Sequence, residues 1–297
     1  MRAISLSVSV FQPDAASTVN AVLAAERAGI EAVWIPAVPM SFDPLTLLGH
    51  ISAITSRIAI GTGIVPTYPR HPATLVAQVL ALAPFARDRL RIGLGSSHPF
   101  IVEGMLGLEF HPPIPHLREY VGVVRELLER GKTRFEGEFF RVQAELAAPP
   151  ARVPLPISAL RPRMFRLAGE IADGAISAWC PVPYLLGTAL PELARGAKAA
   201  GRARPPLIAN VPVVWSSDGG IAGPACSSQQ VDQEASEMNM ICKWVHDDDG
   251  ALVMRWAVRE RVQAGGSDIQ WETGGGDVAY AFEVFDDHAD ALTPVGV

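Results

Sequence analysis

The chain opens on Ala3 to Val10, where apolar and small polar residues alternate as they do along a half-buried strand. An alanine-rich stretch from about Ala15 then reads as a helix stopping at Gly29, a residue suited to the left-handed position past a helix end. Ala32 to Ile35 is a short apolar strand. Asp43-Pro44 next supplies an N-cap and a first-turn proline for a second helix. The same rhythm gives a third strand at Ile58 to Ile64, a helix over Ala73 to Phe85 entered at Pro72, and a fourth strand at Leu90 to Leu94. After a loop rich in Pro and His, an amphipathic helix is expected from about His116 to Arg130, closed by Gly131. Phe135 to Val142 reads as a small hairpin that interrupts the alternation.

The rhythm resumes with a strand at Leu155 to Ala159, a helix over Pro162 to Ala172 and a strand at Ala175 to Trp179. A helix from about Tyr184 to Ala200, ending at Gly201, leads to a seventh strand at Leu207 to Trp215. Strands alternating with helices imply a parallel sheet with right-handed crossovers. Seven strands by residue 215, with an eighth expected at Ser267 to Trp271, fit a closed (β/α)₈ barrel of TIM type. A doubly wound open sheet would carry a glycine-rich turn after its first strand, and Phe11-Gln12-Pro13-Asp14 is not one. We therefore expect one barrel domain over residues 1–297, with an atypical, poorly ordered segment at 218–264. That segment lacks clean periodicity, carries Asp247-Asp248-Asp249, and offers a helix only around Ala251 to Gln263.

Composition narrows the partners. The 297 residues are 49% hydrophobic, enough for a full-sized core, and the formal charge is −6 without a basic run suited to nucleic acid. No stretch approaches the ~18 continuous apolar residues of a membrane helix. Cys180, Cys226 and Cys242 form no CxxC pair and no metal-ligand cluster with His, so no metal is expected. Their sparse, odd count suits a reducing compartment, and a soluble, cytoplasmic protein with a small-molecule partner is the expectation. The chain has no GxSxG elbow, no GxxxxGK[ST] loop and no HExxH helix, so hydrolase and phosphoryl-transfer chemistry lack their parts.

In such barrels the loops after the strands build the site. Gly61 and Gly63, at the end of strand three, leave backbone against which a planar ring could lie; alternatively they only relieve crowding inside the barrel. Val65 begins the loop to His71, where Arg70 and His71 could meet a ligand or simply cap the next helix. Gly95 and Ser96 begin the loop after strand four. His98, just beyond, can hold or move a proton near neutral pH, or can serve structure alone. Leu160 to Arg163 join a strand end to a helix with proline in its first turn. Free N–H groups there, with Arg161 and Arg163, form a physical signal for a phosphate, or else an arginine-rich surface loop.

At these residues the chain resembles the bacterial-luciferase-like superfamily, within it the branch that uses the deazaflavin coenzyme F420. The matching segments are Ala25 to Trp34, Gly61 to Pro72, Leu90 to Ser97 and Leu167 to Gly174, and the resemblance runs from Met1 to about Ser217. It implies a barrel with an insertion after strand four, a non-prolyl cis peptide at Gly63–Ile64 that buttresses the ring, and a cofactor-phosphate loop at Leu160 to Arg163. His98 falls where some relatives place a proton-donating glutamate. The His and Trp those relatives use after strand two are absent, because Pro36 to Met40 offer no ionisable group. The implied function is hydride transfer between F420 and a small organic molecule, in a homodimer. A reduced-FMN monooxygenase and a non-catalytic flavin-binding barrel are the alternatives. Beyond Ser217 the resemblance lapses, through divergence or a slipped reading frame.

Overall fold

A computed structural model describes residues 7–210, together with the backbone of four strands further on, at 239–246, 252–262, 270–273 and 279–280. The helix starts are set as the sequence dictates. Asp14 accepts from the Ser17 N–H at 2.8 Å and opens α1 (Ala15–Arg27); Gly29 follows its end at φ 82°. Asp43 accepts from Thr46 N–H at 2.8 Å and opens α2 (Pro44–Ile54). At α3 (Pro72–Ala86) the capping group is the His71 ring, whose Nδ1 accepts from the Ala73 N–H at 3.2 Å.

Between these helices run β1 (Ser7–Ser9), β2 (Ala32–Ile35), β3 (Ala59–Pro66) and β4 (Leu90–Gly95). The insertion after β4 carries a π-helical turn (Phe100–Met105), α4 (Pro113–Arg130) and the antiparallel hairpin β5 (Lys132–Glu136) and β6 (Arg141–Glu145). The alternation then resumes with β7 (Ile157–Ser158), α5 (Pro162–Ile171) and β8 (Ala175–Ala178). A short α6 (Val182–Tyr184), a π-helical turn (Leu185–Ala189), α7 (Leu190–Ala199) and β9 (Leu207–Asn210) complete the series. The sheet order is β1-β2-β3-β4-β7-β8-β9, with parallel ladders from β1 through β8. This is the strand-and-helix arrangement of an α/β barrel of TIM type, with the expected insertion after strand four.

The core lies between sheet and helices. Val33, Ile35, Ile60, Leu75, Val79, Ile92 and Leu94 are buried, and Phe165 and Leu167 close the face of α5. Glu26 ties α1 to the entry of β3, its carboxylate accepting from the N–H groups of Ser56, Arg57 and Ile58 at 2.7–3.1 Å. Glu119 does the same for the β5–β6 turn, accepting from Glu138, Phe139 and Phe140 N–H at 2.9–3.1 Å.

The chain falls into two compact units: Ser5–Ser177 with Leu186–Ile208, and Met1–Ile4, Ala178–Leu185 and Ala209–Val297. In the second, β10 (Asn239–His246) pairs antiparallel with β11 (Leu252–Val262), which also pairs antiparallel with β12 (Gln270–Thr273) and β13 (Ala279–Tyr280). Two expectations are corrected here. The helix expected over Ala251 to Gln263 is a strand, because Leu252, Met254, Trp256 and Val258 alternate with polar or small residues from Arg255 onward. The eighth strand expected at Ser267 to Trp271 begins at Gln270 and pairs with β11, not with the parallel sheet. The expectation of poor order at 218–264 lies outside the described residues apart from β10 and β11.

Candidate active site

The ends of β3, β4 and β7 are neighbours in the sheet, and three of the proposed cofactor segments follow from them. The Gly63–Ile64 peptide is cis, as the resemblance implies. At this point the β3–β4 register slips: Thr62 pairs with Ile92, but Val65 pairs with Leu94, so one extra residue bulges from β3. The Ile64 carbonyl accepts from Ala37 N–H at 3.4 Å, which ties the loop after β2 to the bulge. Gly63 and Ile64 are half-buried, whereas Val65 is fully buried.

The glycines of these strands answer to crowding. A Cβ on Gly61 would lie 2.7 Å from the Trp34 ring, and one on Gly93 only 2.1 Å from the Thr62 carbonyl oxygen. A Cβ on Gly95 would meet Ser158 Oγ at 2.5 Å and Ile64 Cδ1 at 2.8 Å. Gly61, Gly93 and Gly95 thus make room for neighbouring protein groups. Gly63 differs, since a Cβ there would meet only Trp34 Cβ, at 3.3 Å.

His98 is exposed, at the far side of a turn in which Ser97 adopts φ 61°, and its ring stacks on Phe100 with centroids 5.9 Å apart. The His98 carbonyl also accepts from Ile101 and Val102 N–H at 3.0 Å, so the residue starts the π-helical turn as well. Ser96 is half-buried beside it.

Leu160, Arg161 and Arg163 are exposed at the entry to α5. Met164 and Phe165 N–H both turn back to the Arg161 carbonyl, at 2.9 and 3.1 Å, and Pro162 has no N–H. Arg163 N–H is therefore the free backbone donor of this first turn. Neither the Arg161 nor the Arg163 guanidinium has a partner among the described residues. Arg70 and His71, by contrast, take the structural roles: Arg70 pairs with Asp43 at 2.5 Å and His71 caps α3. Burial pushes the Asp43 carboxyl up, but the Thr46 N–H and the Arg70 guanidinium outweigh it and hold it below the usual carboxylate range.

Sequence reasoning missed the aromatic cluster beneath these loops. His116, from the first turns of α4, is 3% exposed and stacks on Tyr68 with centroids 4.2 Å apart. Its Nε2 lies 3.3 Å from Thr67 Oγ1, and its Nδ1 is buried without a partner. Burial, then the nearby His111, push the imidazole down to about 4, so the ring is neutral. The Tyr68 hydroxyl donates to the His111 carbonyl at 2.7 Å and is pushed up to about 12 by its burial. The only hint in the sequence is the spacing of Phe110, His111, His116 and Tyr120, followed by Phe139-Phe140.

Loops at the C-terminal ends of parallel strands, with two cations that have no partner among the described residues at one helix entry, are the surroundings in which an α/β barrel of TIM type builds its site. The family model for luciferase-like monooxygenases matches residues 3–296, and the chain belongs to that family. The match runs well past Ser217, where the sequence resemblance was read as lapsing. The chain is 34% identical over 195 residues to an F420-dependent glucose-6-phosphate dehydrogenase from Nakamurella multipartita, covering 61% of this chain and 57% of that one. It is 29% identical over 180 residues to a 5,10-methylenetetrahydromethanopterin reductase from Methanolobus tindarius, covering 60% and 54%. The chain thus spans about half the length of the curated relatives it matches. Among solved structures, the coenzyme F420-dependent tetrahydromethanopterin reductase from Methanopyrus kandleri superposes with a TM-score of 0.67 at 25% identity, covering 73% of this chain and 68% of that one. Among the described residues no group of His, Cys, Asp or Glu is placed to hold a metal, and no helix is long and apolar enough to cross a membrane.

Proposed function

We propose that this chain is an oxidoreductase that transfers a hydride between coenzyme F420 and a small organic substrate. The observation that carries the reading is the entry to α5, where Arg161, Arg163 and a free N–H lie on the strand end next to Gly95. A helix N-terminus with two unpaired guanidinium groups fits a phosphate by charge and by donor geometry. The F420-dependent relatives support the choice of cofactor.

In this reading Gly63, Ile64 and Val65, with Gly95 and Ser96, would hold the ring, and Leu160 to Arg163 would hold the phosphate. The deazaflavin supplies the hydride acceptor or donor when bound, and the protein supplies placement and electrostatics. His98 takes up the proton that leaves the substrate as the hydride departs, or returns it in the reverse direction. A homodimer of single-domain barrels in the cytoplasm belongs to the same proposal, on the strength of the resemblance.

The test is a fluorescence titration of F420 with the wild type and with Arg161→Ala/Arg163→Ala. Charge-assisted contacts are worth roughly 1.5–3 kcal/mol each, so the double variant is expected to bind about tenfold more weakly or worse. Unchanged affinity would remove the phosphate assignment.

A further inference from the structure

The insertion after β4 sends three groups into the short segment that follows β3. His116 Nε2 meets Thr67 Oγ1 at 3.3 Å, the Tyr120 hydroxyl donates to the Arg70 carbonyl at 2.9 Å, and the His111 carbonyl accepts from Tyr68 at 2.7 Å. Thr67 is the residue of that segment that also reaches the next strand, its N–H donating to the Gly95 carbonyl at 3.0 Å. Thr67 is 1% exposed and His116 3% exposed, so water does not stand in for either contact. We propose that His116 is a positioning residue, which through Thr67 fixes the end of β3 against the end of β4, the two edges on which the cofactor ring is placed.

The choice of side chain supports this. Stacking on Tyr68 and edge contacts with Phe140, at 5.0 Å between centroids, would be served equally by phenylalanine. An imidazole here buries Nδ1 without a partner, which is unfavourable, and gains only the contact from Nε2 to Thr67. That contact satisfies a buried hydroxyl which has no other side-chain partner among the described residues. With the hydroxyl anchored, the Thr67 N–H keeps its aim at Gly95. Gly95 in turn is the residue whose missing side chain is filled by Ile64. The insertion, through one buried ring, therefore reaches Ile64 and Gly95 without touching a ligand itself.

This inference rests on the F420 reading for its functional consequence, and its test has one arm that does not. Hydrogen exchange at the Thr67 amide is followed in His116→Phe and His116→Gln, alongside thermal unfolding and an F420 titration. Phenylalanine keeps the stack and loses the hydrogen bond, whereas glutamine places a polar atom near the Nε2 position. The expected result is faster exchange at Thr67 and F420 binding about fivefold weaker or more in His116→Phe, with glutamine restoring both. Unchanged exchange in His116→Phe, or equal loss in both variants, would overturn the positioning role. Faster exchange rescued by glutamine, with no F420 binding even by the wild type, would uphold the role and overturn the cofactor reading instead. If His116→Phe does not fold, Thr67→Val keeps the ring stack and is expected to weaken F420 binding similarly; wild-type affinity there would overturn the role.

Discussion

Ile64 fills the space that a side chain on Gly95 would need: its Cδ1 lies 2.8 Å, and its Cγ1 3.0 Å, from where a Cβ would stand. Gly95→Ala must therefore displace Ser158 Oγ, 2.5 Å from that Cβ, together with Ile64 at the end of β3, the segment proposed to carry the cofactor ring. Overpacking of this kind costs typically about 1–3 kcal/mol. We expect Gly95→Ala to fold with a lowered melting temperature and to bind F420 more weakly. Gly93→Ala is expected to be worse, because its Cβ would meet the Thr62 carbonyl oxygen at 2.1 Å and backbone cannot rotate away. Thermal unfolding of the two variants checks the order; a Gly93→Ala as stable as wild type would contradict it.

His116 gives a pH dependence whose sign follows from its burial. The folded ring titrates at about 4 against an ordinary 6.5, so protons bind preferentially to the unfolded chain between those values. Its contribution to stability is complete above about 6.5 and is lost as pH falls toward 4, by up to about 3 kcal/mol. Denaturant unfolding from pH 7 to pH 4 is expected to show this slope in the wild type and a shallower one in His116→Phe. Parallel slopes would contradict the assignment.

Glu26 acts in the acid range. Burial pushes its carboxyl up, but three backbone N–H groups at residues 56–58 outweigh this and hold it below its usual value. Its stabilisation is present above the ordinary carboxylate range and fades as pH falls through the lowered value. Glu26→Ala should cost about 1–2 kcal/mol at pH 7, allowing for its contact with solvent. A loss that persists undiminished at strongly acid pH would count against the carboxylate being responsible.

His98 is expected to matter for turnover more than for binding. A positioned acid–base group contributes roughly 10²–10⁴-fold, so His98→Ala should lower kcat by that order with little change in F420 affinity. Its ring also stacks on Phe100, and its carbonyl starts the following turn, so His98→Gln is the discriminating variant. Near-normal turnover in His98→Gln would show that the residue serves the turn and not the proton.

Legibility in the sequence followed the strength of local signals. Asp43, Pro72 and Pro162 marked helix starts and Gly29, Gly131 and Gly201 marked ends, and each stands where that chemistry requires. Strand ends were read less well: β7 is two residues long where five were expected, since Leu155 and Pro156 contribute burial and single hydrogen bonds but no ladder. The strand at Leu252–Val262 was read as a helix, because its short period-two run lies in a segment that otherwise lacks clean periodicity. In the site, the cations at Arg161 and Arg163 could be read from a helix entry alone. The link from His116 through Thr67 to Gly95 could not, because it joins residues 49 apart whose meeting depends on how the insertion packs.

The most direct measurement of the central claim is a parallel titration of the intact chain with F420 and with FMN, followed by deazaflavin and flavin fluorescence. We predict saturable binding of F420 at one site per chain, weakened by Arg161→Ala/Arg163→Ala, and much weaker binding of FMN. Saturable binding of FMN alone would point to the reduced-flavin monooxygenase chemistry of this family, and binding of neither would contradict the account altogether.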